Sequence, residues 1–149
     1  MELDDVVGEL IESMVEPNTD AFESMSFVDY IRDYRTIGVI VPRQTGKTTL
    51  LDEISDATDN RCIRFVCKSS LNPQRHIDIS NRRVYTFEEL EFLIATYFLP
   101  PVKEKFCTIL IDEFPKMTAG QSYSMNEFID RLYKNGNIDK NFFVLKLGT

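Results

Sequence analysis

Apolar stretches of strand length alternate with amphipathic stretches of helix length from residue 36 onward, and that alternation limits the chain to few folds. Residues 36–41, 61–67, 83–86, 106–111 and 142–147 are short runs rich in β-branched and aromatic side chains, expected as strands. Between them, residues 46–57 read as a helix closed by Asp59-Asn60. Leu90, Leu93, Ile94, Tyr97 and Phe98 mark one face of another, opened by Thr86-Phe87-Glu88-Glu89 and stopped by Pro100-Pro101. Ser124-Met125-Asn126-Glu127 is expected to cap a third, with Phe128, Ile129, Leu132 and Tyr133 inward and its end near Asn135-Gly136. Strands joined by helices call for right-handed crossovers and hence an α/β fold: a largely parallel central sheet with helices on both faces.

Two helices are expected ahead of that core. Leu3, Val6, Val7, Leu10, Ile11, Met14 and Val15 follow helical spacing, with Asp4 and Asp5 in the first turn and Pro17-Asn18 at the end. A second runs from about residue 21 to 34, with either Asp20 and Glu23 or Ser26 and Asp29 as a capping box. The division is therefore a helical lead-in over 1–35 and a core over 36–149, together one compact domain; a chain of 149 residues is too short for two full ones.

Open parallel sheets bind ligands beyond the carboxyl ends of their strands, which places the chemistry after residues 41, 67, 111 and 147. After the first of these comes Val41-Pro42-Arg43-Gln44-Thr45-Gly46-Lys47-Thr48. A polyphosphate needs backbone N–H groups turned inward, a helix start behind them and a cation in reach. Gln44, Thr45 and Gly46 supply the backbone, Gly46 permitting close approach. Lys47 is the charge for the outer phosphates, Thr48 offers its hydroxyl to Mg²⁺, and Thr49 follows in the first turn. Val41 stands where the general motif has its first glycine. Arg43 is either a solvated loop charge or a cation reaching the γ-phosphate from within the chain.

The run 107–111 ends in Asp112-Glu113. Beside a phosphate loop, Asp112 suits the Mg²⁺ shell and Glu113 suits the base that orients the attacking water. Thr149, at the tip of the last strand, is a weaker candidate for sensing the γ-phosphate. Arg82-Arg83 precedes the acid-bearing strand rather than coming after it, unlike the arginine-rich lid of a small-molecule kinase.

Pro42-Arg43-Gln44-Thr45-Gly46-Lys47-Thr48 resembles the variant Walker A motif of viral large terminase ATPase domains. Ile109-Leu110-Ile111-Asp112-Glu113 is similar to their Walker B motif with its adjoining glutamate, and Leu147-Gly148-Thr149 to their coupling motif. The likeness spans roughly residues 27–149, and its lead-in through Tyr30–Arg35 falls where those proteins contact adenine. It implies a P-loop NTPase of the additional-strand, catalytic-glutamate class that binds and hydrolyses Mg²⁺-ATP in a bacteriophage nucleic-acid process. Terminases are much longer and carry a nuclease domain with clustered acids, whereas here the sequence stops at Thr149.

A second class stays open: an ATP-dependent protein-binding switch or accessory module with little turnover. The formal net charge of −7 lacks the basic footprint of a nucleic-acid binder, which leaves DNA contact to a local patch or a DNA-processing partner. Lys68, after the second strand, is either a nucleic-acid contact or a plain loop cation. Cys62, Cys67 and Cys107 are expected as buried free thiols, and the single histidine, His76, has no cysteine at metal-ligand spacing. No apolar run approaches the ~20 residues of a bilayer span, and the acidic N-terminus lacks a signal's positive region, so no membrane partner and a cytoplasmic location (host cytoplasm if viral) are expected. Homo-oligomerisation is left open.

Overall fold

The computed structural model describes residues 2–16, 23–42, 46–58, 61–67, 84–96 and 105–149. Helix α1 (Leu3–Glu12) and helix α2 (Phe27–Tyr34) come first. Next are β1 (Thr36–Ile40), α3 (Lys47–Ala57), β2 (Cys62–Val66), β3 (Val84–Thr86) and α4 (Glu89–Thr96). The chain finishes with β4 (Phe106–Asp112), a 3-10 turn (Phe114–Lys116), α5 (Ala119–Lys134) and β5 (Ile138–Gly148).

The five strands form one sheet in the order β1-β5-β4-β2-β3, and every neighbouring pair is parallel. The central strands β2 and β4 are almost wholly buried, as a parallel strand covered on both faces must be. Phe106, Ile109, Leu110 and Ile111 retain no exposure, and each such side chain contributes about 1.5–3 kcal/mol of hydrophobic stabilisation.

The helices divide between the two faces. On one, Leu50 and Leu51 of α3 and Val7 of α1 pack against Ile37, Cys62, Leu110, Leu145 and Leu147. On the other, Tyr30 and Ile31 of α2, Leu90 and Leu93 of α4, and Phe128, Ile129 and Leu132 of α5 enclose Phe65, Ile109, Ile111 and Val144. Arg35, nearly buried, closes the junction behind α2: it donates to the carbonyls of Asn141 at 2.7 Å, Val15 at 3.1 Å and Phe142 at 3.2 Å.

Several boundaries differ from the sequence reading. Helix α5 does not begin at Ser124; Thr118 caps it, accepting from Gln121 N while Gln121 Oε1 accepts from Thr118 N. That reciprocal pair satisfies two donors one and a half turns earlier, and Ser124 becomes a buried mid-helix residue. Tyr133 is not inward: it is 45% exposed and stacks on Phe27, ring centroids 4.1 Å apart. At α4, Glu89 Oε1 accepts from both the backbone N and the hydroxyl of Thr86, the glutamate half of the expected box. Ser26 does cap α2 through Asp29 N at 3.2 Å. Helix α1 ends at Glu12, short of Val15, and β5 starts four residues before 142. The Asp20–Glu23 box, Asp59-Asn60, His76, Arg82-Arg83 and Pro100-Pro101 involve residues outside those described.

Candidate functional site

Three strand ends lie level on the carboxyl edge of the sheet. Leu147 of β5 is in register with Val39 of β1 on one side and with Asp112 of β4 on the other. One residue further on, Ile40 pairs with Gly148, and Val41 N donates to the Gly148 carbonyl at 2.8 Å. The chain leaving β1 is thus held beside the chain leaving β5.

Local backbone chemistry sets the course of the chain beyond each strand end. Gly46, at φ 86°, is the left-handed residue that turns the chain into α3 with Lys47 as its first helical residue. After Asp112, Glu113 adopts φ 58° and ψ 48°, the only positive φ on a non-glycine residue among those described. A left-handed conformation costs a side-chain-bearing residue about 1–2 kcal/mol, so the surrounding contacts must hold it there. They come from the turn Phe114–Lys116. The Phe114 ring lies over Gly38, and Pro115 lies against Gly148 so closely that a Cβ there would sit 2.6 Å from Pro115 Cδ. A bare glycine at 148 is what lets the turn seat on β5 and brings Glu113 to Thr149.

The side chains converge accordingly. Lys47 donates to Glu113 Oε1, and its Nζ lies 3.2 Å from Asp112 Oδ1. The Thr149 hydroxyl lies 3.1 Å from both Glu113 oxygens and donates to them. The side chains of Lys47, Asp112 and Glu113 are only 10–13% exposed. Burial alone would lower the Lys47 ammonium, but the Glu113 and Asp112 carboxylates outweigh it and raise its pKa above the ordinary value. Burial alone would likewise raise Glu113, and hydrogen bonds from Lys47 and Thr149 reverse that, holding the carboxyl below its usual range.

Of the residues marked in the sequence, Lys47, Asp112, Glu113 and Thr149 meet. Gly46 and Lys47 begin α3 as expected, and Thr48 and Thr49 are in its first turn, both exposed. Arg43, Gln44, Thr45 and Lys68 lie outside the described residues. The sequence reading missed Arg64 of β2. It lies between Asp52 of α3, at 2.7 Å, and Asp112, at 3.6 Å, with its side chain 9% exposed.

Asp112 Oδ1 is buried and has no hydrogen-bond partner, although it faces Lys47. A buried carboxylate oxygen paired only with a lysine at 3.2 Å, near a helix start, fits the protein side of a Mg²⁺–phosphate shell, in which phosphates and water supply most ligands. Among the described residues, no group of three or more His, Cys, Asp or Glu could cage a metal. Cys62 and Cys67 are buried and Cys107 half-buried; none of them is in a disulfide, and burial pushes the Cys107 thiol up.

A cavity of about 180 Å³ lies on the opposite face, between α2, α5 and the sheet, lined by Ile31, Ile111, Met125, Asn126 and Lys146 among others. It includes none of the four converging residues. Burial lowers the Lys146 ammonium there. No helix among the described residues is long and apolar enough to cross a membrane. No protein-family model matches the chain, and no curated protein matches it significantly in sequence.

Proposed function

We propose that the chain is a P-loop ATPase of terminase-like type that binds Mg²⁺-ATP at the carboxyl edge of the sheet and hydrolyses it. The observation that carries this reading is the meeting of Lys47, from the start of α3, with Asp112 and Glu113, two strands away at the end of β4. A lysine at a glycine-turned helix start and paired acids beyond a buried strand are the two halves of a phosphoryl-transfer site. The strand order supports the additional-strand class, since β5 lies between the strand that leads into the loop and the strand that carries the acids.

In this reading the triphosphate replaces Glu113 as the partner of Lys47. That exchange frees the Glu113 carboxylate, whose proton affinity is depressed while the lysine holds it. The released carboxylate orients a water and accepts its proton as the water oxygen bonds to the γ-phosphorus and the bond to the β–γ bridging oxygen breaks, leaving ADP. Thr149, already on both Glu113 oxygens, restrains the carboxylate's swing and senses the γ-phosphate. Thr48 and Asp112 would hold Mg²⁺, which when bound neutralises charge developing on the phosphate oxygens. Arg43 is the candidate to reach the γ-phosphate.

The net charge of −7 bears on the work done. Sequence-independent DNA binding rests on basic side chains neutralising phosphates, so a bacteriophage DNA role runs through a local patch, a second copy or a partner protein. The Glu113–Lys47 contact favours a second reading, a binding switch that exchanges this pair for phosphate with little turnover.

Equilibrium binding of a fluorescent ATP analogue and steady-state turnover, with and without DNA, test the proposal. Lys47→Ala should lose binding. Glu113→Gln should keep binding and lose turnover by roughly 10²–10⁴-fold, the usual weight of a general base. Turnover that survives Glu113→Gln removes glutamate from the base's role. Tight binding without turnover in the native chain selects the switch, and stimulation by DNA selects the motor.

A further inference from the structure

Arg64 is a buried charge beside Asp112 that the nucleotide reading leaves without a task. It sits mid-strand in β2, opposite Leu110 of β4, on the sheet face covered by α3. A guanidinium this buried needs compensation, and it has two carboxylates from different elements. Its Nη1 donates to Asp52 Oδ1 at 2.7 Å, and its Nη2 lies 3.6 Å from Asp112 Oδ2. One side chain therefore joins the helix that begins with Lys47 to the strand that ends with Asp112.

The two oxygens of Asp112 are thereby divided. Oδ2 faces Arg64, while Oδ1 faces Lys47 and makes no hydrogen bond. A carboxylate's terminal torsion is broad and two-fold, so nothing intrinsic to Asp112 decides which oxygen points where. The planar guanidinium offers two separate nitrogens in a fixed fork, so Nη1 and Nη2 each face a different carboxylate, a geometry that one ammonium nitrogen does not reproduce.

Resting on the nucleotide reading, we propose that Arg64 is a positioning residue: it holds Oδ2 of Asp112 so that Oδ1 stays turned toward Lys47 and the metal shell. Asp52 balances its charge, so the pair acts through orientation rather than through an added field. Were Arg64 only the neutraliser of Asp52, its burial would have no reason, because Asp52 is 46% exposed and solvated without it. The group that needs a buried partner is Asp112, 10% exposed.

Two measurements test this. In the metal-free, nucleotide-free chain, thermal unfolding midpoints of Arg64→Gln, Asp112→Asn and the double variant should be non-additive, the double falling no further than the worse single. In turnover at saturating Mg²⁺, Arg64→Gln should lower kcat by about 10–100-fold, the scale of a misplaced catalytic group, with KM for ATP within about threefold of the native value. Arg64→Lys, which restores the charge without the fork, should recover only a small part. Asp52→Asn should show a smaller loss of the same kind, and none beyond Arg64→Gln when the two are combined.

Additive midpoints, or a folded Arg64→Gln with native kcat, overturn the proposal. If Arg64→Gln does not fold, Asp52→Asn decides, and native kcat there overturns it equally. A native chain that binds no ATP overturns the nucleotide reading itself; normal turnover in Arg64→Gln removes only the role of Arg64.

Discussion

The turn after β1 and the turn after β4 solve the same backbone problem with opposite residue choices. Each needs a left-handed residue at the carboxyl edge of the sheet, Gly46 at φ 86° and Glu113 at φ 58°. At Gly46 the requirement is backbone alone, and glycine meets it without steric cost. At Glu113 a carboxylate must stand in the turn, and the strain is accepted because Lys47 and Thr149 grip that carboxylate and Pro115 seats the turn on Gly148. Where chemistry needs a side chain, the fold tolerates a conformation that glycine would take more cheaply.

The largest effect expected from breaking this contrast is on turnover. Glu113→Gly relaxes the turn but removes the base, so ATP hydrolysis should fall by roughly 10²–10⁴-fold, as far as in Glu113→Gln. A relaxed, active Glu113→Gly would mean that the strain has no link to the chemistry.

Gly148→Ala attacks the seat instead. Its Cβ would meet Pro115 Cγ at 2.8 Å as well as Cδ, so the turn must shift. Overpacking of this kind should cost about 1–3 kcal/mol in urea unfolding, and turnover should drop with it because Glu113 and Thr149 part.

A smaller effect separates the two turns directly. Gly46→Ala should destabilise the chain by about 1 kcal/mol. At 113, where both replacements lose the carboxylate contacts, the glycine variant should be the more stable of Glu113→Gly and Glu113→Ala by about 1 kcal/mol. Equal unfolding midpoints for that pair would show that the left-handed conformation carries no strain.

The pH response should be the most modest. Glu113's carboxyl is depressed in the folded chain, so its contribution is complete above the ordinary glutamate value of about 4.3 and is lost as pH falls through the lower folded value. Lys47 is raised, so its contribution is complete below about 10.4 and is lost as pH rises through the higher folded value. Glu113→Gln should flatten the acid limb of the unfolding midpoint against pH. An acid limb unchanged in that variant would assign it to other carboxylates.

Much of this site is legible in the sequence. The buried run 106–111 could only be a central strand, and the rule that ligands sit beyond parallel strand ends brings Lys47, Asp112 and Thr149 to one edge. Glu113 is marked as the base candidate by its neighbour, but nothing in the sequence marks it as left-handed. The start of α5 is misread because two capping patterns compete there, Thr118 to Gln121 and Ser124 to Glu127, and local pattern cannot rank them. Arg64 is invisible for a different reason. Within Ile63-Arg64-Phe65 a single arginine looks like the outward residue of an alternating strand, and only the covering helix α3 makes it a buried charge.

By itself, then, the sequence determined the αβ alternation, the glycine turn into α3 and the acids ending β4, because periodicity and turn chemistry act within a few residues of their cause. Tertiary structure alone decided that β5 enters between β1 and β4, that Gly148 must be bare for Pro115, and that Arg64 divides the oxygens of Asp112. Those outcomes depend on strand order, close packing and loss of solvent between residues far apart in the chain. None of these leaves a local mark in the sequence.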